Sequence, residues 1–115
     1  MTKLLPLLII VISSFMPISA FTAQPVWCSK TDLLDTEITI CNNKTLSKAD
    51  SLLDQMYRAV LSFRGLEGMW PDEVTSNQRD WFEQRNTLSE KSDILDAYTT
   101  RIKALTQMLI VRLQP

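Results

Sequence analysis

Three stretches of this chain carry apolar residues at helical spacing. In the first, Leu46, Ala49, Leu53, Tyr57, Val60 and Leu61 recur three and four apart, and Leu52, Met56 and Phe63 widen the stripe. That pattern predicts a helix from Leu46 to about Arg64, capped by Thr45 or Ser47. Asp54 and Arg58 stand at i and i+4 on it, in the favourable order. Gly65 and Gly68, the only glycines, follow and predict its end. A second helix is expected from Pro71 to about Asn86: proline suits a first helical turn, and Asp72 and Glu73 complement its positive end. After a break over Thr87–Ser92, with Ser89 or Ser92 as cap, a third helix runs from about Asp93 to Arg112. Its stripe is Leu95, Tyr98, Ile102, Leu105 and Leu109. Such stripes bury themselves against one another, so the expected fold is all-α, a small bundle of three main helices. No repeat or linker interrupts residues 24–115, which read as one domain.

The second helix differs from the other two. Gln78, Trp81, Phe82 and Arg85 fall at i, i+3, i+4 and i+7, so one face is half aromatic and half polar. It reads either as an ordinary amphipathic face with polar edges or as part of a shared polar cluster. Burying Gln78 and Arg85 without partners would cost several kcal/mol. Glu37, Tyr98 and Arg101 are the candidate partners. Tyr98 and Arg101 lie at i and i+3 of the last helix and can meet that face together.

The N-terminus has a different character. Lys3 precedes an apolar run from Leu4 to Ile12, then Ser13, Ser14, Pro17 and small residues. This is the layout of a secretory signal peptide over residues 1–20, with cleavage at Ala20 or as late as Ala23. Even counted through to Ile18, the run is short for a membrane span and contains two prolines. An exported chain of on the order of 90–95 residues remains, small enough to need a staple. Cys28 and Cys41 supply one: an even pair in an oxidising compartment reads as a disulfide. Between them, Thr31–Ile40 fits a short helix with Thr31 as N-cap, although the β-branched run Thr36–Ile40 also allows a strand. Helix is preferred because the next segment is helical. Asn43-Lys44-Thr45 matches a glycosylation triplet but reads as a turn.

Charge and residue inventory narrow the function. The formal net charge is −1 and becomes about −2 without Lys3, and no basic patch suited to nucleic acid is present. Histidine is absent, and no Gly-rich phosphate loop or activated serine motif occurs. Asp50 and Asp54 form the one carboxylate pair worth weighing as acid and base, and they read as solvated charges on a helix face. Neither an enzyme nor a metal or cofactor is expected.

The ordered motifs resemble the LprI-type lysozyme-inhibitor domain of exported bacterial proteins. They are an early Cys28; Glu37, Ile40 and Cys41; Leu46, Asp50, Leu53 and Tyr57; Gln78, Trp81 and Arg85; and Tyr98, Arg101, Ile102 and Leu105. The match spans nearly all of the expected mature chain. The family commonly carries a second cysteine pair, near the places where this chain has Leu88 and Asp93, so it looks like a divergent member with one disulfide. The resemblance implies a small α-helical fold and an exported, periplasmic or secreted binding protein that occludes a peptidoglycan-cleaving enzyme. A periplasmic immunity protein against a secreted toxin, or an envelope assembly factor, would fit the same size and address. Glu37, Gln78, Trp81, Arg85, Tyr98 and Arg101 are expected to hold the fold. Trp70, Asp72 and Glu73 are the candidate partner contacts, with Trp70 alternatively a lid on the core.

Overall fold

A computed structural model describes residues 24–62 and 70–113. The segment expected to be a signal peptide, Phe63, Gly65 and Gly68 lie outside these residues, as does the side chain of Trp70. The described residues are helical, without strands: a 3-10 turn (Val26–Ser29), then α1 (Asp35–Cys41), α2 (Lys44–Ser62), α3 (Trp70–Arg85) and α4 (Lys91–Leu113). A small helical bundle preceded by a disulfide-stapled segment is therefore the architecture.

The core follows the apolar stripes. α2 and α4 share the most extensive helix–helix contact, and α3 lies against α4. Leu46, Leu53 and Val60, seven apart along α2, are buried together with Ile94, Tyr98 and Leu105 of α4, Val74 of α3 and Ile40 of α1. Fully burying such side chains stabilises by roughly 1.5–3 kcal/mol each. Ala49, Met56, Tyr57, Leu61, Leu95, Ile102 and Leu109 pack at the margin. Leu52, expected to widen the stripe, is instead 47% exposed, because it precedes buried Leu53 by one residue and turns away from α4.

The helix starts differ from expectation for local reasons. α1 begins at Asp35, not after Thr31, because the Glu37 carboxylate accepts from the Leu34 N–H at 2.9 Å. That bond supplies the helix start that a threonine was expected to provide. α2 begins at Lys44, where Asn43 Oδ1 accepts from the Leu46 N–H at 2.9 Å, so Asn43 is the cap and Thr45 and Ser47 are not. Ser47 lies inside the helix and donates to the Ile40 carbonyl near the end of α1 at 2.8 Å, beside the Asn43 N–H that also donates to it. α4 starts at Lys91, which puts Ser92 within the first turn. α3 begins one residue before Pro71, with Asp72 and Glu73 in its first turn as expected.

Two ties fix the N-terminal segment. Cys28 and Cys41 are bonded, with Cα atoms 5.9 Å apart. The Thr36 hydroxyl lies within hydrogen-bond reach of the Asn86 and Leu88 carbonyls, which fastens α1 to the α3–α4 turn. The disulfide is compatible with an oxidising, exported location. Among the described residues, no helix is long and apolar enough to cross a membrane.

Candidate functional site

The buried row of α3 is largely polar. Among the described side chains of this helix, Val74, Gln78 and Arg85 are the buried ones, four and seven apart, and Trp81 is half-buried between the last two. Helical spacing thus carries an arginine into the bundle, where it is 3% exposed.

Arg85 meets every other element. Its Nη1 donates to the Tyr98 hydroxyl of α4 at 3.0 Å, and its Nε and Nη2 donate to Asn86 Oδ1 at 3.1 and 2.8 Å. Two carboxylates stand at ion-pair distance: Glu37 of α1 at 3.8 Å and Asp50 of α2 at 3.7 Å. The guanidinium also lies near three aromatic rings, 5.0 Å from the centroid of Phe82, 5.5 Å from Trp27 and 5.8 Å from Trp81. A guanidinium is weakly hydrated and planar, which suits burial among rings and carboxylates better than an ammonium would.

Asp50 is the residue that the sequence reading misplaced. It is buried, not solvated: Oδ1 accepts from the Tyr98 hydroxyl at 2.8 Å and Oδ2 from the Trp27 indole N–H at 3.0 Å. Its sequence neighbour by pattern, Asp54, is exposed and pairs with Arg58 at 2.8 Å. A signal was available: Asp50 is four residues after Leu46 and three before Leu53, so it stands in the core stripe. Trp27 was missed as well, and no periodicity marks it; the neighbouring disulfide brings it over α2.

Charge is closely balanced here. Arg85 faces Glu37 and Asp50, and Lys30 approaches Glu37 from the solvent side at 3.9 Å. Burial holds the Tyr98 hydroxyl well above the usual tyrosine range; the Arg85 charge opposes that rise and Asp50 adds to it. Tyr98 therefore stays protonated and can donate to Asp50 while accepting from Arg85.

The expected single cluster is two. Glu37, Arg85 and Tyr98 belong to the Arg85 network, whereas Arg101 Nε donates to Gln78 Oε1 at 2.8 Å in a separate pair nearer the start of α3 and further along α4. Arg101 Nη2 is buried without a hydrogen-bond partner, and burial lowers the Arg101 pKa. Trp81 is half-buried, and its indole N–H donates to the Ala97 carbonyl at 3.2 Å. Its ring meets that of Tyr98 edge-on at 5.1 Å. Asp72 and Glu73 are exposed. Among the described residues, no cluster of three or more carboxylate, cysteine or histidine side chains is placed to hold a metal ion.

An open groove of about 380 Å³ runs where the end of α3 meets the start of α4, beside Trp81 and Leu88 and below Asp93 and Asp96. No family model, curated protein or solved structure matches this chain.

Proposed function

We propose that this chain is an exported binding protein of the LprI-like kind, which occludes a lysozyme-type peptidoglycan hydrolase. One observation carries the reading. Four of the polar residues that made up the resemblance, Glu37, Asp50, Arg85 and Tyr98, come from four different helices and meet around one guanidinium. Motif residues scattered over the chain thus act as one fold-specifying unit, as a shared domain family would require. The disulfide fits the exported address that the signal-like N-terminus implies.

The same geometry favours binding over catalysis. Arg85, Asp50 and Tyr98 satisfy one another inside the bundle, where they hold the helices in register and leave the surface for a partner. The test is a cell-wall lysis assay with purified lysozyme and the chain lacking residues 1–20. Dose-dependent inhibition is expected. Undiminished lysis, together with no association at micromolar concentrations, would sink the proposal.

A further inference from the structure

The groove at the α3–α4 junction is built from two helix faces. Trp81 and Gln84, at i and i+3, line it from α3, and Leu88 lines it from the following turn. Asp93, Asp96, Ala97 and Thr100 line it from α4, at i, i+3, i+4 and i+7. This α4 face is offset from the core row of Ile94, Tyr98 and Leu105. The groove therefore has an aromatic and aliphatic floor and an acidic rim.

The rim is electrostatically uncompensated. Asp93 and Asp96 are exposed and form no ion pair among the described residues. Arg85 also lines the groove, but its hydrogen bonds go to Tyr98 and Asn86 and its charge faces Glu37 and Asp50. Asp93 has a structural use in the first turn of α4, where a carboxylate complements the helix dipole. Asp96 lies beyond that turn, so the dipole does not account for it.

We propose that this groove receives one arginine or lysine side chain from the surface of a basic protein partner. The aliphatic stem would lie along Trp81 and Leu88, and the cation would sit between Asp93 and Asp96. Long basic side chains bury their stems on apolar surface while the charged head stays at a polar rim. Guanidinium–carboxylate bonds and a nearby indole supply the attraction. A neutral apolar side chain would leave the rim unpaired, and an acidic one would be repelled. The proposal rests on the binding reading above, and it names the chemistry of the partner surface.

Two measurements separate this proposal from that reading. The first is titration of the isotope-labelled chain with N-acetylarginine amide, following the Trp81 indole N–H signal, with N-acetylnorleucine amide as neutral control. A saturable shift with the arginine probe alone is expected, and it should vanish in the Asp93→Asn/Asp96→Asn protein. No shift, or an equal shift in that variant, overturns the proposal. The second is lysozyme affinity of both proteins, with circular dichroism confirming the fold. A loss of about tenfold in the variant, diminishing at high salt, is expected. Lysozyme bound equally by both proteins overturns the docking role while the inhibitor reading stands. An arginine shift without any lysozyme binding retains the groove and defeats the inhibitor reading.

Discussion

The Tyr98 hydroxyl donates to Asp50, 48 residues earlier in the chain, at 2.8 Å. The same oxygen accepts from Arg85 at 3.0 Å, so one buried hydroxyl joins a cation to an anion that lie too far apart for a direct hydrogen bond. Asp50→Ala should destabilise the fold by about 3–5 kcal/mol, because it leaves Arg85 and the Trp27 indole under-satisfied. Tyr98→Phe keeps the ring and should cost about 1–3 kcal/mol. Urea unfolding of both variants checks the order, and a larger loss for Tyr98→Phe would contradict the bridging role.

Arg85→Ala should lower the melting temperature more than any substitution on the exposed face of α3. It removes the partner of two buried carboxylates, a loss of about 3–5 kcal/mol. A melt and a lysozyme-binding assay on the same protein decide between structural and contact roles. Unchanged melting with lost binding would place Arg85 in the contact surface.

Gln78 and Arg101 should behave differently. Their pair holds a charge against a neutral amide and leaves Nη2 without a partner. Replacing both with apolar residues, Gln78→Leu with Arg101→Met, removes the desolvated charge and should change stability by less than about 1 kcal/mol. Gln78→Leu alone strands the guanidinium and should be the worse variant in chemical denaturation.

Cys41→Ser should cost about 3 kcal/mol in the chain-entropy model for a loop of this size. It should also release Trp27, whose indole is held on Asp50 one residue from Cys28. A thermal melt and the Trp27 indole N–H signal check both effects. Two free thiols in the mature protein would exclude the staple.

Alkaline pH gives a further test. Burial raises the Tyr98 pKa above its ordinary value of 10.0. The unfolded chain therefore loses this proton first, and the stability contribution, complete below about pH 10, is lost as pH rises toward the folded value. The slope should approach about 1.4 kcal/mol per pH unit. Tyr98→Phe should abolish that component in urea titrations between about pH 9 and 11.

The helices and the staple were legible because each has a local signature. Leu46, Leu53 and Val60 announce one face of α2 by spacing, and a lone cysteine pair has one pairing. Arg85 and Tyr98 were legible as partners because Arg85 shares a helix face with Trp81 and Tyr98 stands in the apolar stripe of α4, so both are directed at the core. Asp50 was misread because Asp54, one turn on, suggested a solvated acidic pair. A helix advances 100° per residue, so four residues shift the direction by 40°, enough here to separate a core position from an exposed one. Trp27 and the two-part division of the polar cluster depend on contacts between distant segments, for which the local pattern holds no signal.

The arginine at the centre of the network comes late in the chain. During synthesis Trp27, Glu37 and Asp50 all emerge before Arg85, and Tyr98 emerges last of the five. α1 and α2 can coil on their own, but their inward carboxylates have no buried counter-charge until the end of α3 arrives. Closure of the bundle around its buried charges therefore waits for the end of α3 and the first turns of α4.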